Sequence, residues 1–156
     1  SSQTWMAGVT KVALVYNSPR FWPLHESNSG FRPGPRSPAF QVYDASPKDG
    51  LVSALTFFSL ASLSQTEKKS DVISDELLAK QCAMQMVHNL SPSTIREHPD
   101  IVRRIKAFDS FHVKHWPHEK YISEDNNPDG INPHPQPNPE LARSEWDGVL
   151  LFAGTE

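Results

Sequence analysis

The hydrophobic pattern of this chain changes period partway along, and that change limits what it can fold into. Residues 9–16 (Val-Thr-Lys-Val-Ala-Leu-Val-Tyr) are rich in β-branched side chains and stop at Asn17-Ser18-Pro19, the signature of a strand and its end. In a strand, Thr10, Val12, Leu14 and Tyr16 share one face, and Val9, Lys11, Ala13 and Val15 share the other. An aromatic patch, Phe21-Trp22-Pro23, opens a Ser/Gly/Pro-rich loop that runs to residue 38. Residues 39–45 are a second strand candidate, closed by the turn sequence Ser46-Pro47-Lys48-Asp49-Gly50. A nearly continuous apolar run follows at 51–63. Its length is compatible with a helix, while its Thr, Phe and Ser content favours a strand.

The period then becomes helical. Across 74–89, Ile73, Leu77, Met84 and Val87 recur at helical spacing, and Asp75 and Glu76 occupy the first turn, where the helix dipole favours acids. Ser91-Pro92 ends that helix. A shorter one is predicted from Pro99, with Ile101, Val102, Ile105 and Phe108 as its buried stripe. A fourth strand is predicted over 110–116, and a long polar, proline-rich loop over 117–139 leads to a last apolar strand. No internal repeat is present. The order strands, helices, strand, loop, strand predicts an α+β fold, with a mixed or antiparallel sheet and one longer and one shorter helix.

Composition removes several function classes. The 14 prolines of the 156 residues gather in the two long loops, so the lean hydrophobic fraction of 37% reflects loops rather than global disorder. A net charge of −3 with no basic run argues against nucleic-acid binding. No segment approaches the roughly 18 consecutive apolar residues of a membrane span. The N-terminal residues lack the basic-then-apolar pattern of a secretory leader. The single cysteine, Cys82, excludes an internal disulfide framework and any multi-cysteine metal site.

Three groups of side chains can carry chemistry. Lys11 puts an ammonium in the middle of a strand, flanked on its own face by Val9 and Ala13. It is either a solvated lysine on an outer sheet face or a lysine aimed at a cofactor or an ordered water. His112, His115 and His118 are spaced by three, with His134 further on. On a strand, His112 and His115 point to opposite faces, and Pro117 breaks the regularity before His118, so no metal site is expected. Trp22, Trp116, Tyr121 and Trp146 lie at strand ends and in loops, either lining a pocket or packing ordinarily. Cys82, mid-helix, reads as a buried core thiol. No nucleophile–base pair or glycine-rich phosphate loop is evident.

Several blocks, in order, resemble the C-terminal half of the flavin-containing amine oxidases, the family of monoamine, polyamine and L-amino acid oxidases. The final Leu150-Leu151-Phe152-Ala153-Gly154-Thr155-Glu156 resembles the family's Phe-Ala-Gly-Thr-Glu-Thr signature. Val9-Thr10-Lys11-Val12 followed by Phe21-Trp22 resembles the strand that carries the family's active-site lysine. Gln41-Val42-Tyr43-Asp44-Ala45-Ser46 and Leu55-Thr56-Phe57-Phe58 resemble its next sheet strands. The Leu77-Leu78-Ala79-Lys80 helix and His115-Trp116 then precede the final return.

The resemblance implies that residues 1–147 form a substrate-domain-like α+β module and that 148–156 are a truncated strand and turn returning to an FAD-binding domain. Lys11 would be the catalytic lysine, contacting flavin N5 through a water. Trp116 would pack beside the isoalloxazine ring, and Gly154, Thr155 and Glu156 would meet the ribityl and diphosphate region of a non-covalent FAD. The substrate would be a small amine or amino acid, losing a hydride from the amine-bearing carbon, with peroxide released. The family's Gly-x-Gly-x-x-Gly fingerprint is absent, so a companion polypeptide or a further chain segment would have to supply the nucleotide-binding fold. The segment after Trp116 lacks the family's Gly-Gly-x-Tyr type turn and has no cysteine for covalent flavin attachment. The alternative implied is a non-catalytic interaction module derived from such an oxidase and held in a larger assembly.

Overall fold

Alternation along the first strand sets the layer structure. In β1 (Val9–Tyr16), Thr10, Val12, Leu14 and Tyr16 are at most 2% exposed, while Val9, Lys11, Ala13 and Val15 turn outward. The computed structural model of the chain describes residues 9–31, 37–60 and 73–116. Within them follow α1 (Leu24–Ser27), β2 (Ser29–Gly30), β3 (Ala39–Asp44), β4 (Ser53–Leu60), α2 (Asp75–Asn89), α3 (Pro92–Glu97), α4 (Ile101–Lys106) and β5 (Ser110–His115).

The five strands form one antiparallel sheet in the order β2-β3-β4-β1-β5. β1 runs between β4 and β5, pairing Val12 with Phe57 on one side and with Val113 on the other. The run predicted at 51–63 is a strand from Ser53 to Leu60, as its Thr, Phe and Ser content favoured. The register of β3 on β4 shifts between Ala39 and Gln41, so Phe40 is an extra residue that turns to the outer face beside Phe58.

The helices cover the inner face. Leu14, Leu55, Phe57 and Val42 from the sheet meet Leu78, Met86, Ile101 and Ile105 from α2 and α4, all at most 1% exposed. Deleting a side chain the size of Phe57 from such a core costs about 3–5 kcal/mol. The Tyr16 hydroxyl donates to the Ile105 carbonyl at 2.9 Å, tying the end of β1 to α4. Burial pushes the Tyr16 phenol well above the ordinary tyrosine range.

Two expectations about the helices need correction. Four helices are present among the described residues, not one longer and one shorter. Ser91-Pro92 does end α2, but the same pair also begins α3: the Ser91 hydroxyl accepts the Thr94 N–H at 3.2 Å, and Pro92 occupies the first turn, where no N–H is needed. The buried stripe of α2 is also rotated from the one predicted. Leu77 and Met84 are 47% and 37% exposed, whereas Leu78, Ala79, Cys82, Ala83, Gln85 and Met86 are buried. The buried face combines small Ala79, Cys82 and Ala83 with Leu78 and Met86, which pack into the core, and Gln85, which binds the Ala39 backbone. The start of α2 was legible, since Ser74 caps it through the Leu77 N–H. The helix predicted from Pro99 instead runs over Ile101–Lys106 with Asp100 as N-cap, leaves Phe108 beyond its end and fully buries only Ile101 and Ile105.

Candidate functional site

With the helices on one side, the other face of the sheet carries the side chains with chemistry. Lys11 projects there from the centre of β1, exposed, with its Nζ 4.9 Å from the centroid of the Phe58 ring on β4. Phe58 in turn meets Tyr43 edge-to-face at 5.6 Å and Phe40 at 6.3 Å. On the other side of Lys11, β5 places Lys114 directly opposite it. Like charges facing each other across a strand pair are unfavourable. Here each ammonium lies over its own aromatic ring, Lys11 over Phe58 and Lys114 over Trp116, the latter at 5.6 Å.

This surface is therefore a row of rings and ammonium groups running from Tyr43 and Phe40 through Phe58, Lys11 and Lys114 to Trp116. Of the residues the resemblance singled out, Lys11 and Trp116 are thus brought to one face, linked through Lys114. Gly154, Thr155 and Glu156, and the whole of 148–156, lie outside the described residues, as do His118, His134, Tyr121, Trp146 and the loop 117–139. Trp22 is not on this face. It is 3% exposed in the opposite layer, where its ring meets Tyr16 and Phe21.

The histidines separate as the strand predicts. His112 is exposed on the open face, while His115 turns inward and is half-buried. What the spacing could not show is that His115 joins three elements. Its Nε2 lies 2.8 Å from Asp75 Oδ1 at the start of α2, and its Nδ1 lies 3.0 Å from the hydroxyl of fully buried Thr10. A carboxylate can only accept, so Nε2 donates to Asp75, while the direction of the Thr10–Nδ1 hydrogen bond follows the state of the ring. The helix-favouring position of Asp75 was visible in sequence, but its histidine lies 40 residues away. Among the described residues no group of three or more His, Cys, Asp or Glu side chains is placed to hold a metal ion.

A second polar centre was missed altogether. Glu26 in α1 is 7% exposed, and its Oε1 accepts the Ser91 N–H at 3.1 Å and the Thr94 hydroxyl at 2.7 Å. Its Oε2 is buried with no hydrogen bond among the described residues. Burial raises the Glu26 pKa, but the Ser91 and Thr94 hydrogen bonds and the nearby His25 outweigh it and hold the carboxyl below its usual range. Its partners follow it by more than 60 residues, so no local pattern announced it.

Cys82 is the buried thiol its surroundings predicted, pushed up to about 12 by burial. No helix among the described residues is long and apolar enough to cross a membrane. No protein-family model matches the chain, and comparison with curated proteins finds no match.

Proposed function

We propose that this chain is the substrate-domain portion of a flavin-dependent amine or amino acid oxidase, completed by a companion segment that carries the nucleotide-binding fold. The observation that carries the reading is Lys11. Its ammonium sits mid-strand on the sheet face that no described helix covers, over an aromatic ring and, among the described residues, beside no carboxylate, on the same face as Trp116. A flavin ring system is flat and aromatic, and this row of Phe58, Lys11, Lys114 and Trp116 suits such a group by stacking and by charge.

Lys11 would then hold a water or a proton near flavin N5, and Trp116 would border the ring. When bound, FAD supplies the hydride acceptor for the amine-bearing carbon and passes the electrons to oxygen. Lys114 places a second ammonium group opposite Lys11 on this face.

A second reading is a non-catalytic interaction module held in a larger assembly. Its support is the same face read differently: Tyr43 is 40% exposed, and the rings of Phe40 and Phe58 stand around it on a sheet face that no described helix covers.

Native mass spectrometry of the protein isolated from its source, combined with its visible absorption spectrum, separates the two. Bound FAD together with a nucleotide-binding segment is expected from the oxidase reading. A flavin-free chain attached to unrelated subunits would favour the module and remove the oxidase. In the flavin-loaded protein, Lys11→Met should slow reoxidation by oxygen while flavin stays bound. Unchanged oxidative turnover would sink the assigned role of Lys11.

A further inference from the structure

On the helical side of the molecule, away from the Lys11 face, the loop after β1 and the helices α3 and α4 border an open cleft of about 660 Å³. Residues 19–23 make one wall, and His98 and Arg104 make the other. The volume is within the range of small-ligand sites.

The lining has a specific imbalance between donors and acceptors. Arg104 lays its guanidinium over the Phe21 ring, 3.8 Å from the centroid. A cation–π contact of this kind restrains the group over the ring, while its Nη1 keeps a long ion pair with Asp100. The nearest carboxylate oxygen, Asp100 Oδ2, is 3.9 Å away, beyond hydrogen-bond range, and the Arg104 side chain makes no hydrogen bond among the described residues. Trp22, in the opposite wall, buries an indole N–H that also has no acceptor among the described residues. Arg20 spends one N–H on Asp44 at 3.0 Å, and that carboxylate also takes the Ser46 backbone and hydroxyl. The cleft thus joins two arginines and a histidine to the Phe21 ring, with Trp22 buried behind it and no carboxylate among its lining residues.

We propose that this cleft binds a small oxyanion carried on a flat apolar group, with the carboxylate or phosphate held by Arg104 and the apolar part against Phe21, whose far side packs on buried Trp22. The planar fork of a guanidinium matches two oxygens of such an anion, and holding it by stacking reduces the entropy lost when the ligand binds. This site is independent of the flavin reading: it uses none of the residues of the Lys11 face.

The test is a titration of the full 156-residue chain, isotopically labelled for NMR, with benzoate and separately with phenyl phosphate. The Arg104 side-chain N–H and Trp22 indole signals are followed. Saturable shifts of both signals are expected with at least one probe, and which probe binds tells whether a carboxylate or a phosphate is preferred. Arg104→Lys keeps the charge and the stem but loses the fork, and should weaken binding at least tenfold without lowering the thermal midpoint appreciably. Lys106→Gln, a neighbouring change on the same helix outside the cleft, and Lys11→Met should leave binding unaltered. No saturable shift with either probe, or equal affinity in Arg104→Lys and the parent, would overturn the proposal.

Discussion

The side-chain amide of Gln85 pairs with the backbone of Ala39 in both directions: the Ala39 N–H donates to Oε1 at 3.0 Å, and Nε2 donates to the Ala39 carbonyl at 2.8 Å. Ala39 stands where the β3 register shifts, at the sheet margin beyond the two residues of β2 that pair with β3. A helix residue thereby acts as the missing strand for one position, and Gln85 is 5% exposed because of it. Replacing it by Ala strands two buried backbone groups. We expect a loss of about 2–6 kcal/mol, from roughly 1–3 kcal/mol for each of the two groups left unsatisfied. Gln85→Met, which conserves volume, should lose nearly as much. Urea unfolding measures both, and a loss under 1 kcal/mol in Gln85→Met would show that the amide contributes little.

Acid should loosen the molecule through two carboxylates. Glu26 is held below its ordinary range as described. Asp44 is also lowered: burial raises it, but hydrogen bonds from Ser46 and Arg20 and the arginine charge more than offset that. A carboxylate with a depressed pKa in the folded state binds fewer protons there than in the unfolded chain. Stability from it is therefore present above about pH 4.5 and is lost as pH falls through the folded value. The thermal midpoint should drop between about pH 5 and pH 3, and Glu26→Gln should flatten that drop. An equally steep profile in Glu26→Gln would assign the effect elsewhere.

The Cys82 thiol should behave in the opposite sense. Its pKa in the folded state is about 12, raised by burial. Its contribution is complete below the unfolded thiol value of about 8.5 and is lost as pH rises towards the folded one. Tyr16, raised for the same reason, adds to the loss at still higher pH. At pH 8 a thiol reagent should react with Cys82 only through transient opening, slower than with a free thiol by a factor on the order of 10³ or more. Reaction at the free-thiol rate would contradict its burial.

Lys11 should matter little for stability. It is exposed and touches Phe58 through a cation–π contact of roughly 0.5–1 kcal/mol at such sites, set against repulsion from Lys114 across the strand pair. Lys11→Met is expected to change the unfolding free energy by no more than about 0.5 kcal/mol, the usual bound for surface substitutions. A larger loss, seen by urea unfolding, would make Lys11 a structural residue, and any effect on oxidation would then have to be read through folding.

Local patterns carried β1, β3, β4 and β5, the start of α2 and the outward face of Lys11, but not α1, β2 or α3. Alternation in 9–16 places Thr10, Val12, Leu14 and Tyr16 inward without reference to any neighbour, because successive strand side chains must point to opposite faces. Ser74 before Asp75 and Glu76 marks the start of α2 for an equally local reason, since the first N–H groups of a helix need an acceptor. Pro99 ahead of Ile101, Val102 and Ile105 likewise announced α4.

The tertiary structure decided what depends on residues far apart in the chain. The face of α2 that turns inward is the one on which Leu78 and Met86 meet the core and Gln85 reaches the Ala39 backbone, and Leu77 and Met84 misled a pattern reading that counts hydrophobicity alone. The placement of β1 between β4 and β5, the clasp of Thr10, His115 and Asp75, the burial of Glu26 beneath Ser91 and Thr94, and the stacking of Arg104 on Phe21 all join separate segments. A hydrogen bond or ring contact across such distances depends on the closing of the intervening chain, which propensity at either end does not encode. Local sequence therefore set the elements and their faces, and long-range packing set which polar groups would meet.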